Sequence, residues 1–503
     1  MARAAWGYRV EGKEVRQKVK AIVAGGGLGG LAAALRLRAA GWEVTVCDNG
    51  PTPGGKMNRW SAGGFVFDTG PTLLTMPHVL SRLFAALGER IEDHLELEPL
   101  DPHAEYIYPD GSRIRVPARV EDWLAAVREI APADAEGVGW LHELGERIYR
   151  LSEGTFFLNH PLLPFGPPAA GSLRHFPLRH AWGNYARTVA RFVKDHRLRR
   201  IYNRYPTYVG SSPYRCPATL LVIPYIEHTF GAWRVKGGMY RIVGALLRLA
   251  KERGVEVMAG AAVAEIEGGG ERVTGVRLED GRRIESAVVV FNGDSASLEQ
   301  MLDGKERFKP ESRSLSGVIL LAGLRTALSG WNAHTVVFSA DYEREFADLF
   351  ERSMFPEDPT VYVYAPRDEA MAPSGAQSVF LMANAPGDGR MAWDEAAARE
   401  ASQRMLERIR RSGLAVLADS LEVFDVWHPG RFEKRFLTPG GSIYGENSHG
   451  WRRAFLRAPN RVRGIRGLYC TGGSYHPGGG VPMVLISAEI TVRLILRDWG
   501  GRA

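Results

Sequence analysis

The sequence predicts an α/β protein of two units, one built on a parallel sheet and the other mixed. Three observations carry that prediction. The chain is 503 residues long, more than one hydrophobic core usually supports. It opens with a short apolar strand, a glycine cluster, an alanine- and leucine-rich helix and a second short strand, the pattern of a parallel β-α-β unit. Farther on, residues 314–386 carry four alternating apolar stretches, which an antiparallel sheet produces. Apolar residues at 45% and charged residues at 24% exclude a mainly disordered or fibrous chain.

The elements follow in order. Residues 1–18 read as a mobile tail. Ala21–Ala24 forms the first strand, Leu31–Ala40 the helix and Glu43–Cys47 the second strand. Residues 78–155 look mainly helical, broken by a polar hairpin whose turn is Pro109-Asp110-Gly111. Residues 156–180 are rich in Pro and Gly and read as irregular, and a helix runs from Trp182 to Asn203. After Lys236-Gly237-Gly238-Met239 a helix extends to Arg253, followed by three strands or hairpin arms up to Asp294. Trp393–Arg411 is helical and Leu421–Trp427 extended. A last strand, GLYCTGG (467–473), leads through a glycine-proline turn to a closing helix over Leu485–Trp499.

The first glycine cluster has chemical content. Gly25-x-Gly27-x-x-Gly30 stands between a strand and a helix, where a dinucleotide-binding fingerprint belongs, with Leu28 and Gly29 inside it. The first glycine permits a tight turn, the second lets a pyrophosphate touch the backbone, and the third lets helix and strand pack closely. The helix N-terminus then offers amide donors and the positive end of its dipole. Asp48, at the end of the second strand, is placed to accept a ribose hydroxyl. More loops of this kind follow at once, in Gly54-Gly55-Lys56 and in Phe67-Asp68-Thr69-Gly70-Pro71.

Those motifs carry a family resemblance. G-G-G-L-G-G-L-A-A-A-L, P-G-G-K-M and F-D-T-G-P at one end are similar to the bacterial phytoene desaturase family within the amine-oxidase-like flavoproteins. So is LYCTGGSYHPGGGVPMVLISAEI (Leu468–Ile490) at the other end. The middle agrees through Tyr208–Val243 and through RFEKRFLTPGGSIYG, so the resemblance runs from about residue 19 to the end. The closing G-G-S-x-H-P-G-G-G-x-P pattern resembles the hydroxycarotenoid 3,4-desaturase branch in particular. The resemblance implies FAD as cofactor and an amine-oxidase-like fold, a Rossmann-type FAD domain with a mixed α+β substrate domain. The FAD domain would be assembled from 19–95, 235–310 and 421–503, and the substrate domain from 96–234 and 311–420. It places Gly55, Lys56, Thr69, Gly70 and Pro71 along the cofactor, Val263 at the adenine, Gly472 and Gly473 near the phosphates, and Val481, Pro482 and Met483 near the isoalloxazine. It also implies removal of a hydride and a proton from neighbouring carbons of a long apolar carotenoid held in a tunnel. Some family members carry an aspartate ahead of the basic helix, yet residues 154–185 contain no acid. His476 and Glu227 are the remaining candidates for proton handling. The same scaffold could instead serve a carotenoid isomerase, a ketolase, an amine oxidase or a non-enzymatic prenyl-protein escort.

Charge points to a partner surface. The net charge is +7, but residues 174–204 hold nine basic residues (Arg174, Arg179, Arg187, Arg191, Lys194, Arg197, Arg199, Arg200, Arg204) against the single acid Asp195. Phe176, Trp182, Tyr185, Phe192 and Tyr202 are interleaved with them. Basic and aromatic residues together suit an anionic lipid surface, whereas no recognised nucleic-acid motif accompanies the cluster. Nucleic acid is therefore not an expected partner. Three widely separated cysteines and no 18-residue apolar run suggest a cytoplasmic protein, peripheral on the inner face of the cell membrane. No metal-ligand spacing occurs, and the oligomeric state is not written in the sequence.

Overall fold

The computed structural model describes residues 19–154, 157, 183–303 and 309–500. The expected tail and the irregular segment, apart from Phe157, lie outside them.

The parallel sheet forms as the pattern predicts. Its five strands run in the order Glu256–Ala259, Glu43–Asp48, Lys20–Ala24, Val289–Phe291 and Leu468–Cys470, every neighbouring pair parallel. The last two strands come from far along the chain, so both ends of the sequence meet in one sheet. The helix Leu28–Ala39 packs on it with Tyr240–Glu252 and the closing helix, and their aliphatic side chains form one core with those of the strands. A three-stranded antiparallel layer (Val263–Gly268, Val273–Leu278, Arg283–Glu285) covers the opposite face.

The second unit is a seven-stranded mixed sheet. Its order is Glu422–Trp427, Ser316–Leu324, Gln377–Ala385, Val361–Tyr364, His334–Val337, Ala104–Ile107 and Arg113–Val116. Among the described residues, His334–Val337 with Ala104–Ile107 is its one parallel pair, the others being antiparallel. Glu422–Trp427, expected with the flavin unit from 421, pairs antiparallel with Ser316–Leu324 instead. Its partly buried, non-alternating pattern suits the outer strand of an open sheet, and the chain crosses to the parallel unit after it.

The basic segment departs from expectation as well. In place of one helix from Trp182, there are two, Tyr185–Phe192 and His196–Arg204. The break at Val193–Asp195 has a local cause. Asp195 caps the second helix by accepting from the Arg197 and Leu198 amides, and Asn184 caps the first through the Arg187 amide. The buried Asp134 carboxylate accepts from the Lys194 and Asp195 amides between them.

Candidate active site

A continuous cavity of about 630 Å³ runs from the glycine loops of the parallel unit into the mixed unit. Of the residues expected at the cofactor, Gly25, Gly27, Leu28, Gly29, Asp48, Gly55, Lys56, Thr69, Gly70, Pro71, Val263, Gly472, Gly473, Val481, Pro482 and Met483 all line it. Gly30 lies behind the lining, where a Cβ would overlap the Gly25 carbonyl oxygen; it is the close-packing position of the motif. Gly25 itself holds φ at +109°, a conformation that side-chain-bearing residues rarely adopt.

Asn292, not singled out from sequence, ties the two ends together. Its Oδ1 accepts from the Gly30 amide at 3.0 Å, and its Nδ2 donates to the Thr471 carbonyl at 2.9 Å. A Cβ at Gly27 would stand 2.9 Å from that Oδ1, and one at Gly472 would stand 2.7 Å from Nδ2. Only the register of strands Lys20–Ala24, Val289–Phe291 and Leu468–Cys470 brings these residues together.

Asp48 ends its strand at the cavity wall, 5% exposed. Its carboxylate accepts from the Gly26 amide at 2.7 Å and from the Gly50 amide at 2.8 Å, so it shapes the first glycine loop as well as facing the cavity. Asp68, inside F-D-T-G-P, accepts from the Met239 and Tyr240 amides and thereby caps the helix Tyr240–Glu252 from a distant segment. Burial pushes its carboxyl up to about 6, against the pull of those two amides.

Lys56 reaches the Ile443 carbonyl at 2.5 Å and the Ser442 carbonyl at 3.4 Å. Burial brings its ammonium down to about 8, with Asp294 opposing and Arg313 adding to that decrease. Asp294 and Arg313 form a buried ion pair at 2.9 Å. Burial alone would raise the Asp294 carboxyl, yet Arg313 and Lys56 hold it below its ordinary value.

The two proton-handling candidates separate. His476 is fully buried and does not line the cavity, although Pro477 after it does. Its backbone amide bonds the Ala458 carbonyl, and Asn460 donates to its carbonyl, so the residue is built into the turn. Glu227 lines the cavity on the substrate side, and its two oxygens accept from the hydroxyls of Tyr205 at 3.0 Å and Tyr208 at 2.8 Å.

These residues fit FAD. The glycines at 27, 55 and 472 leave backbone open to a pyrophosphate, and the helices Leu28–Ala39 and Val481–Trp499 both begin at the cavity wall. Their N-terminal amides and dipoles favour negative charge there. Pro482 stands in the first turn of the closing helix, where its missing N–H leaves no bond unmade. That helix opens at Val481, earlier than the sequence pattern suggested, which brings Val481–Met483 into its first turn.

Comparison with known proteins agrees with the geometry. The family model described as flavin-containing amine oxidoreductase matches residues 28–496. A hydroxyneurosporene desaturase of Rubrivivax gelatinosus is 34% identical over 495 residues, covering 95% of this chain and 93% of its own. A 4,4'-diapolycopene oxygenase of a Methylomonas species is 32% identical over 499 residues, covering 95% and 98%. Among solved structures, an oxidoreductase from Methanosarcina mazei superposes with a TM-score of 0.64 at 16% identity, covering 94% of this chain and all of its own; that likeness concerns the fold alone. With the glycine loops, the crossover of both chain ends and these matches in hand, the chain belongs to the flavin-containing amine oxidoreductase family, in its bacterial carotenoid desaturase branch, and its cofactor is FAD.

Proposed function

We propose that this FAD-dependent oxidoreductase desaturates a long carotenoid polyene, removing a hydride and a proton from adjacent carbons. The observation that carries the reading is the single cavity that joins the cofactor loops to a compartment walled by Leu220, Val222, Ile223 and Ile226. Bound FAD supplies the hydride acceptor. The chain's own part is to bind and orient. The apolar wall strips water from the polyene and aligns it. Val481 and Met483, on either side of Pro482, which has no N–H, present the opening amides of the closing helix where negative charge is favoured. An oxygenase on the same scaffold is the second reading, favoured by the Methylomonas relative. Product analysis in carotenoid-accumulating cells separates the two. A product that loses a pair of hydrogens per step supports the desaturase, whereas gain of oxygen at an unchanged double-bond count overturns it.

We also propose that the enzyme works docked on an anionic membrane. Among the described residues, no helix is long and apolar enough to cross a bilayer. The basic segment supports surface docking with fewer cations than its composition offers. Arg187, Arg191 and Lys194 are exposed. Arg197 pairs with Asp195, Arg199 bonds the Val193 carbonyl, and Arg200 holds the carbonyls of Ser339 and Ala340. Tyr185 and Tyr202 are buried and Phe192 stacks on Trp140, so the aromatics there serve the core. Arg174, Arg179, Phe176 and Trp182 lie outside the described residues. Each exposed cation near an anionic surface contributes about 1 kcal/mol, falling off within roughly 8 Å at physiological salt. Flotation with vesicles should show binding that rises with anionic lipid, falls with salt and drops when Arg187, Arg191 and Lys194 become glutamine. Equal flotation of wild type and variant on neutral and anionic vesicles rejects the docking.

A further inference from the structure

The outer side of the parallel unit carries a knot of charge that the flavin site does not use. The helices Leu28–Ala39, Pro77–Ala86 and Val481–Trp499 pack together, and each contributes one arginine to the same spot. Three guanidinium groups converge there on one carboxylate. Arg36 Nη2 stands 3.4 Å and Arg82 Nη2 3.2 Å from Glu489 Oε2, and Arg493 Nη2 stands 3.4 Å from Oε1. All three distances exceed the roughly 2.7–2.9 Å of a tight charge-assisted bond. The carboxylate is shared out and satisfies none of its partners fully.

The charge balance at this spot is unfavourable. Among the described residues, Glu489 is the one carboxylate paired with Arg36 or Arg82. Arg36 is largely buried, and its Nε, sealed from solvent, has no acceptor. Burial pulls this guanidinium below its ordinary value; Glu489 opposes the shift, whereas Arg82 and Arg493 add to it. Glu153, near enough to act on His78, is engaged elsewhere, since it accepts from the Tyr149 hydroxyl at 3.0 Å. Charge buried without enough opposite charge is costly, and an anion that completes the set removes that cost. Arg82 and Arg493 are half-exposed, so a ligand reaches the spot from solvent.

We propose that Arg36, Arg82 and Arg493, gathered by Glu489, form a binding site for a phosphate monoester. At neutral pH such a group brings about 1.5–2 negative charges and three acceptor oxygens, which matches the surplus left by the single carboxylate. The fork of a guanidinium fits those oxygens in pairs. A carboxylate ligand would supply only one charge. The site is distinct from the cradle of the FAD phosphates, because Arg36 stands in the last turn of Leu28–Ala39, about 12 Å along the axis from the glycine loops. It is also distinct from the cations at Arg187, Arg191 and Lys194, which belong to the other unit. A lipid headgroup and free phosphate share this chemistry, and the test separates them.

The test uses the FAD-loaded full chain, in which the glycine loops are occupied and cannot take up phosphate. One arm titrates inorganic phosphate at constant ionic strength, followed by calorimetry. The other compares flotation on vesicles carrying phosphatidic acid, a phosphate monoester, with vesicles carrying phosphatidylglycerol, a diester, at the same surface charge. Wild type should bind phosphate, and Arg82→Gln combined with Arg493→Gln should weaken that binding roughly tenfold or more. Glu489→Gln should act in the opposite direction and tighten it, because the glutamine keeps an acceptor for the arginines and removes the competing charge. Visible flavin absorption reports that each variant is folded, and either variant alone decides the matter should the other lose its flavin. A preference for phosphatidic acid that the arginine variant erases identifies a lipid headgroup as the ligand, whereas a response to inorganic phosphate alone identifies the free anion. Glutamine at Arg187, Arg191 and Lys194 should lower flotation on both vesicles alike and leave the phosphate titration unchanged. No response in either arm, responses that the variants leave unaltered, or weaker binding by Glu489→Gln would overturn the site and reduce the four side chains to a structural ion-pair network.

Discussion

Gly27 and Asp48 show how single positions hold the cofactor end of the cavity. A side chain at Gly27 would press on Asn292 Oδ1 from 2.9 Å, and Asn292 cannot retreat without releasing the Gly30 amide and the Thr471 carbonyl. Gly27→Val should therefore yield protein without flavin, read from the visible absorption spectrum after incubation with FAD; a full complement of flavin would disprove the loop assignment. Asp48 carries two roles, since it faces the cavity and holds the Gly26 and Gly50 amides. Asp48→Ala leaves two buried donors unmatched, at about 1–3 kcal/mol each. The expected result is weaker FAD binding, by roughly ten- to hundredfold, together with a lower melting temperature of the apoprotein. Weaker binding at unchanged apoprotein stability would confine the carboxylate to the ligand.

Elements meet through residues of this kind more than through their own propensities. The helix Tyr240–Glu252 starts after two glycines and has no capping side chain of its own; Asp68 supplies that function from the F-D-T-G-P loop. One carboxylate thus locks the loop carrying Thr69–Thr72 onto a helix of the parallel unit. Asp68→Ala should destabilise the fold by about 1–2 kcal/mol, a typical capping loss, and Asp68→Asn, which keeps an acceptor, should cost less. Chemical denaturation of the three proteins measures this, and equal midpoints for alanine and wild type would show that the cap carries no stability. The basic helices follow the same logic, because Asp195 and Asp134 turn the chain between them and decide which cations reach solvent.

For the molecule as a whole, burial of ionisable groups across both units makes stability depend on pH. Burial lowers His228 to about 4, and His334 and His449 to about 3, all from 6.5. A histidine whose folded value is depressed contributes stability that is present above its unfolded value and lost as pH falls toward the folded one. Each should therefore cost on the order of 2 kcal/mol on acidification to pH 5. Asp68 works in the opposite sense. Its raised carboxyl, with that of the buried Glu345 raised to about 7, contributes stability at low pH that is lost as pH rises through those values, so the two together offset only part of the histidine effect. The apparent melting temperature should fall clearly between pH 7.5 and 5.0; a flat profile would mean that these histidines are hydrated in solution.

The cofactor loops were legible in the sequence because their chemistry is local. A pyrophosphate against backbone demands glycine at set offsets, a helix start supplies its amides, and a strand end supplies Asp48, all within about thirty residues. The alternating stretches after residue 314 announced an antiparallel sheet for a similar reason, since side-chain alternation is written in consecutive residues. Asn292 gave no such signal, for an asparagine after a strand reads as a turn residue until parallel pairing sets it between Gly30 and Thr471. The unit to which Glu422–Trp427 belongs was equally hidden, because strand pairing is decided between segments and not within one. Arg204 illustrates the limit most clearly. Counted along the chain it was one of nine cations of a surface segment. Only the packing of its helix end against Tyr106, Tyr208 and Tyr362 turned it inward, because burial depends on which distant surfaces close over a residue.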